Sequence, residues 1–189
     1  MNFNPNAKTE KNNETDKDEI SYEDMHPFLQ KLIDKHHVYT KELNAFEEAI
    51  AMVESGKIDK EVDKKLRQFF AYFDEQIISY NEKGEKYLFS RITKNMPKDE
   101  DFSAIDFLET DRTKSIQMAA VTFNMLALFL RIPDEQSRFI ILDVALKQAK
   151  ELLELLRVHI YREGTMIFPY AQRNFSNEEL NEIQQRSKS

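Results

Sequence analysis

Residues that break helices are rare in this sequence. Only three glycines and five prolines occur among 189 residues, and Leu, Lys, Glu, Gln and Ala, all strong helix formers, are abundant. Apolar residues recur three and four positions apart over long stretches, as in Leu29, Leu32 and Ile33. Charged residues make up 32% of the chain and interleave with the apolar ones, which is typical of amphipathic helices. The pattern predicts an all-α fold.

Four long helices are predicted from the helical period, near residues 23–54, 60–94, 104–131 and 134–171. Short loops make neighbouring helices antiparallel, so we expect an up-down-up-down four-helix bundle. Gly56 should stop the first helix in a left-handed conformation, and Asp59 should open the second. Gly84 interrupts the interior of the second helix.

The ends of the chain differ in character from its middle. Residues 1–20 are rich in Asn, Lys, Glu, Thr and Asp and nearly without apolar residues, which predicts a disordered tail. Residues 21–172 should form the bundle, with Ser21 and Asp24 resembling a helix start. The segment 173–189 should be a short helix and a polar tail, because Ser176 and Glu179 have the spacing of a capping box.

Two prolines mark expected boundaries within the second half. Pro97 opens an acidic stretch that reads as a linker between two helical hairpins. The pair Phe168-Pro169 is expected to end the fourth helix, because the residue before a proline is disfavoured in helical geometry.

Several function classes are excluded by composition. A net charge of −7 argues against a nucleic-acid partner, and no apolar run approaches the ~20 residues that span a bilayer. The N-terminus lacks a signal-peptide pattern, so we expect a cytoplasmic protein. Without cysteine there is no disulfide, thiol chemistry or iron–sulfur cluster. No nucleophile–base set or phosphate loop supports hydrolytic or transferase chemistry.

His159 and Glu163 are the residues with the clearest chemical potential. They are four positions apart, so they project from one face of a helix and could hold a metal ion together. Folding the first hairpin at Gly56 brings His36 and Tyr80 to similar heights, within roughly two turns. Folding the second hairpin at Pro133 likewise brings Arg112 and Thr113 within about two turns of His159. His37 lies about 100° around the helix from His36, so at most one of the two faces this layer.

The pattern resembles the hemerythrin-like (HHE cation-binding) domains over roughly residues 25–172. The resemblance is carried by His26-Pro-Phe-Leu, Asp34-Lys-His36-His37, Glu85-Lys-Tyr-Leu-Phe89 and His159-x-x-x-Glu163 with Phe168-Pro169. It implies a four-helix bundle with a non-haem di-iron centre, used for oxygen binding, iron or redox sensing, or repair of iron–sulfur centres. It also implies that His36, with His37 as the alternative, is the first-helix ligand and that His159 and Glu163 are the fourth-helix ligands.

The sequence departs from the family pattern at the other ligands. Tyr80 and Gly84 occupy the positions of the second-helix His-x-x-x-Glu motif, and Asp111-Arg112-Thr113 lacks the third-helix histidine. Glu85 is retained as a ligand candidate, although it lies about 140° around a helix from Tyr80. The expected cofactor is therefore one Fe ion rather than two, with Mn or Zn as alternatives.

Two function hypotheses follow. The first is a remodelled, mononuclear metal site used in iron, oxygen or redox and nitrosative-stress handling, held by His36, His159 and Glu163 with Tyr80 as a candidate phenolate ligand. The second is a metal-free bundle that contacts a protein partner or a small ligand. In that case Arg112 could replace the metal as the counter-charge of Glu163. Neither hypothesis involves nucleic acid or a membrane.

Overall fold

The computed structural model describes residues 20–82, 84–95 and 104–187, without the side chains of residues 78, 80–82 and 104. Within these ranges the chain is helical and has no strand, so the all-α prediction is confirmed. None of the described helices is long and apolar enough to cross a membrane. The predicted tail, apart from Ile20, and the linker that begins at Pro97 lie outside the described residues.

Seven α-helices form the described part of the chain, with a 3₁₀ turn at Tyr22–Asp24 and a π-helical segment at Glu163–Ile167. They are α1 (Pro27–Glu54), α2 (Lys60–Glu82), α3 (Glu85–Asn95), α4 (Ala104–Phe129), α5 (Glu135–Arg162), α6 (Phe168–Asn174) and α7 (Asn177–Arg186).

Local signals account for most helix ends. α1 begins at Pro27 and not near residue 23, because Nδ1 of His26 accepts a hydrogen bond from the backbone N–H of Phe28 at 3.2 Å and serves as the N-cap. Pro27 then takes the first helical position, where no N–H is needed. Gly56, with φ of 84°, ends this helix as expected. The predicted capping box of Ser176 and Glu179 is formed at the start of α7.

The second predicted helix is divided into α2 and α3 close to Gly84. Gly84 has φ of +39°, a left-handed conformation that a regular helix cannot contain. A Cβ atom at this position would lie 3.0 Å from Cε2 of Phe28, so the glycine also permits close packing against α1. The division therefore has a conformational and a steric cause.

The prediction that Phe168-Pro169 ends a helix is wrong. Phe168 has helical angles, φ of −68° and ψ of −42°, and the chain continues through α6. The preceding turn is π-helical, and the N–H of Phe168 donates to the carbonyl of Glu163. A proline ring normally clashes with the carbonyl four residues earlier, and the wider π turn relieves that clash without stopping the helix.

The helices pack around two separate apolar clusters. α4 packs along α5, α1 packs against α2 and α5, and α7 packs against α1 and α3. The first cluster includes Leu29, Leu32, Leu88, Ile92, Leu108, Ile167, Phe168 and Leu180. The second includes Leu43, Phe46, Ile50, Phe69, Phe73, Leu152, Leu153 and Leu156.

A polar layer lies between the two clusters. On α1 the first cluster ends at Leu32 and the second begins at Leu43, with His36 between them. Leu156 in α5 belongs to the second cluster and Ile167 to the first, with Glu163 between them. The apolar cores therefore leave a gap at one level, where the predicted ligands are found.

Candidate functional site

Two imidazoles converge on one buried carboxylate in the polar layer. Nε2 of His36 in α1 donates to Oε2 of Glu163 at 2.6 Å. Nε2 of His159, in the last turn of α5, lies 3.2 Å from Oε1 of the same carboxylate. Glu163 is only 3% exposed. The structure therefore brings three of the predicted site residues together.

The packing of α1 determines which of the adjacent residues His36 and His37 points to the site. The ring of His36 stacks on Phe168, with ring centroids 5.1 Å apart, and points to Glu163. His37, about 100° around the helix, is exposed. The structure thus brings His36, and not His37, to the carboxylate.

A cavity of about 70 Å³ adjoins the carboxylate. Its polar lining comes from six elements of the chain, α1 to α5 and the π-helical segment: Lys35, His36, Tyr39, Gln76, Glu85, Arg112, Ser115, His159 and Glu163. A volume of this size accommodates a few water molecules or one hydrated ion.

Glu85 places a second carboxylate in this cavity. Burial and the nearby charge of Glu163 raise the pKa of Glu85 to about 7. Nζ of Lys35 lies 4.0 Å from Oε1 of Glu85 and opposes this shift, although half of the Lys35 side chain is in solvent. Glu85 was predicted as a ligand candidate, and the structure places it beside the two histidines.

His159 and Glu163 stabilise each other's charged forms. Burial alone would raise the pKa of Glu163, but attraction to His159 and the hydrogen bond from His36 outweigh it and lower that pKa. Burial likewise disfavours the charged form of His159, yet the Glu163 carboxylate raises the pKa of the imidazole. A negatively charged carboxylate is thus held in the core between two imidazoles.

Arg112 lies in the cavity wall but not in the predicted role. Its Nη2 donates to the carbonyl of Ile77 at 3.1 Å, which links α4 to α2. The described ion-pair partners of Glu163 are His36 and His159 rather than Arg112. Thr113, the other candidate in α4 (the third predicted helix), is exposed.

Two residues remain to be placed. Tyr80 belongs to α2, but its side chain lies outside the described residues. Tyr39 was not predicted, and it lines the cavity with its hydroxyl pKa raised by burial. Its position three residues after His36 puts both on one face of α1, a signal that the sequence already contained.

The types of side chain in this site suit a divalent metal ion, but their positions relative to one another suit it less well. Imidazole nitrogen and carboxylate oxygen are the ligands that Fe, Mn and Zn use in cysteine-free sites. Oε1 of Glu163 and Nδ1 of His159 are buried without a hydrogen-bond partner, because the 3.2 Å contact of Oε1 lacks hydrogen-bond geometry. Across residues 20–82, 84–95 and 104–187, however, no three His, Asp or Glu side chains are grouped so as to hold a metal ion.

Comparison of the chain with protein-family models, with curated proteins and with solved structures finds no match. The candidate site therefore has to be interpreted from its own residues.

Proposed function

We propose that the chain is a hemerythrin-like, up-down-up-down four-helix bundle that binds one divalent transition-metal ion, with iron as the first candidate, at Glu163. The observation that carries the proposal is the convergence of His36 and His159 Nε2 on this buried carboxylate, at 2.6 and 3.2 Å. Its role would lie in iron, oxygen or redox and nitrosative-stress handling, which the family resemblance implies.

The bundle arrangement is supported by the helix contacts. α1 packs against α2 and α5, and α4 packs along α5. Phe70 of α2 meets Phe123 of α4 edge to face, with centroids 5.2 Å apart. In this proposal α2 and α3 together supply the second bundle helix, interrupted near Gly84.

The two carboxylates of the cavity favour a cation, whereas Lys35 and Arg112 in its lining oppose one. Burial and, after it, the nearby charge of Glu163 raise the pKa of Glu85, so this small, poorly solvated space disfavours a second negative charge. A divalent ion between the two carboxylates would offset their repulsion and satisfy Oε1 of Glu163, which is buried without a hydrogen-bond partner. To bind the ion through Nε2, His36 would have to lose the proton that it donates to Glu163, either to solvent or to its own Nδ1, because only a ring nitrogen without a proton can act as a ligand.

The test is the metal content of matched variants. Protein purified without chelator would be incubated anaerobically with Fe(II), Mn(II) or Zn(II), desalted and analysed for bound metal. We expect one ion per chain, loss of binding in His36→Ala and Glu163→Gln, and unchanged binding in His37→Ala. The His37 variant is a close control, because it removes the same side chain one residue away but on the exposed side. Equal binding by all variants would place the ion elsewhere.

A metal-free function is the second candidate, and one observation favours it. His36 and Glu163 already bond directly at 2.6 Å, and the described donors form no group of three around a common point. In this case the polar layer between the two apolar clusters binds no metal ion, and the function of the bundle is to bind a small ligand or a protein partner. Absence of bound metal after each of the three incubations would decide for this candidate.

A further inference from the structure

A groove of about 500 Å³ lies between α2 and α4. This volume is within the range of sites that bind small molecules, and it is several times that of the polar cavity at Glu163. α4 packs closely along α5, and α2 packs against α1 and α3, so α2 and α4 approach each other less closely. The small side chains of Ala71, Ala119 and Ala120 then leave the space between the two helices open.

Aromatic and aliphatic side chains form most of the groove. Phe70 and Phe73 of α2 are buried, whereas Phe123 and Ile116 of α4 are 46% and 39% exposed. The rings of Phe70 and Phe123 meet edge to face, with centroids 5.2 Å apart. Large apolar side chains that lie in solvent along a pocket of this size are typical of a ligand-binding site.

The charges of the groove are supplied by α2 alone, because α4 has no Asp, Glu, Lys or Arg between Ser115 and Leu130. Arg67 and Asp74 line the groove seven residues apart, which is about 10 Å along one helix stripe. The charge of Arg67 is already compensated, since its Nε donates to both carboxylate oxygens of Asp63 at 2.9 and 2.8 Å. Within residues 20–82, 84–95 and 104–187, Asp74 has no hydrogen bond or ion pair.

We propose that the α2–α4 groove binds a small organic cation, an apolar molecule that carries one protonated amine. Its apolar part would lie against the alanines and the phenylalanine rings, and its amine would pair with Asp74. An aromatic lining suits the charged end of such a ligand better than an aliphatic one, because the face of a ring attracts a cation. An anionic ligand would instead meet the Asp74 carboxylate and an arginine that is already paired.

Phe73 and Ile77 separate the groove from the polar cavity. Both side chains line both spaces, and the carbonyl of Ile77 accepts a hydrogen bond from Arg112 in the cavity wall at 3.1 Å. A ligand in the groove would therefore lie one layer of side chains away from the cavity. The proposal does not require a metal ion at Glu163, and it gives the second candidate function, binding of a small ligand, a site and a ligand class.

The test is a fluorescence titration of the full chain, in the presence of chelator, with two probes that share one ring system and linker but differ in charge. Dansylcadaverine carries a protonated primary amine, and its N-acetyl derivative is neutral. We expect dansylcadaverine to bind with a dissociation constant on the order of 10 μM, as for a ligand of its size. The acetylated probe should bind at least about threefold more weakly, because it cannot pair with the carboxylate.

Matched variants assign the site. Asp74→Asn should weaken the binding of dansylcadaverine at least about threefold and leave the acetylated probe unchanged. Glu75→Gln removes an exposed carboxylate one residue away that does not line the groove, and it should affect neither probe. Ala120→Trp should fill the groove and weaken both probes at least about tenfold. Val121→Trp adds the same ring at an exposed position outside the lining and is its control.

The proposal is overturned if dansylcadaverine does not bind at about 100 μM, well above the expected constant, or if Ala120→Trp binds it as the unaltered chain does. Equal affinity for the two probes would also overturn it, because the groove would then select an uncharged ligand. Probe binding that weakens as the protein concentration rises would assign the groove to a second copy of the chain and overturn the proposal as well. Since chelator is present throughout, the result is independent of whether Glu163 binds a metal ion in the separate incubations.

Discussion

Nε2 of His36 lies 2.6 Å from Oε2 of Glu163, although the two residues are 127 positions apart in the chain. The contact ties α1 to the π-helical segment that follows α5, at the level where two apolar clusters leave a gap. A buried carboxylate without such a partner would be strongly disfavoured. The pair therefore contributes to the stability of the metal-free protein.

Replacing His36 should destabilise the metal-free protein measurably. His36→Ala removes the donor to a buried carboxylate and the stacking on Phe168, so we expect the free energy of unfolding to fall by about 1–3 kcal/mol. His37→Ala, on the exposed side, should change it by less than about 0.5 kcal/mol. Urea unfolding in the presence of chelator measures both. Equal effects of the two variants would contradict the observed docking of α1.

The raised pKa of Glu85 predicts a loss of stability as the pH rises. The folded state keeps the Glu85 proton between pH 4.5, its ordinary pKa, and about pH 7, whereas the unfolded chain has released it. The free energy of unfolding should therefore fall with increasing pH through this window. Glu163 acts in the opposite direction at lower pH, because its lowered pKa makes stability fall as the pH drops below 4.5.

Glu85→Gln should remove this dependence. The variant cannot ionise, so above pH 7 we expect it to be more stable than the unaltered protein by about 1–3 kcal/mol, with the difference vanishing near pH 4.5. The raised pKa of His159 also lowers stability at high pH, and because Glu85 is the smallest of its causes, most of this effect is common to both proteins. Urea unfolding at several pH values in chelator gives both profiles. Parallel profiles would show that Glu85 ionises normally in the folded state.

Two glycines offer a matched test of the backbone. Gly84→Ala forces a side chain into a left-handed conformation and to 3.0 Å from Phe28, so it should destabilise the fold by about 1–3 kcal/mol. Gly164→Ala has open space around the added methyl group and lies in the helical π segment, so it should be neutral or stabilise by up to about 1 kcal/mol. Thermal unfolding of both variants should show opposite or clearly unequal shifts.

Arg112→His, a substitution in α4, tests the proposal that the site binds a metal ion. The substitution removes a permanent cation from the cavity wall and introduces an imidazole, so Fe(II) affinity should increase at least about tenfold. Loss of the hydrogen bond to Ile77 should cost about 1 kcal/mol in the metal-free protein. Thr113→His places the same residue on the exposed side and should leave affinity unchanged. Competitive titration with a metal indicator gives the affinities.

Local backbone features were determined by the sequence itself. The helical fold, the left-handed stop at Gly56 and the capping box of Ser176 and Glu179 depend on neighbours within four residues, and each was predicted from its pattern. Helical spacing also predicted that His159 and Glu163 share one face, and Nε2 of His159 lies 3.2 Å from Oε1 of Glu163. The same local reasoning failed at Phe168-Pro169, because a π turn allows a proline inside a continuing helix.

Only the tertiary structure decided which polar residues meet. His36 and His37 are equivalent in sequence, and the rotation of α1 against Phe168 selects His36. Glu85 reaches the cavity only because the chain turns at Gly84 and restarts as α3. The exposure of the uncharged stretch in α4 could not be read from its composition, which is typical of a buried helix. These outcomes depend on contacts between residues far apart in the chain, which sequence periodicity does not encode.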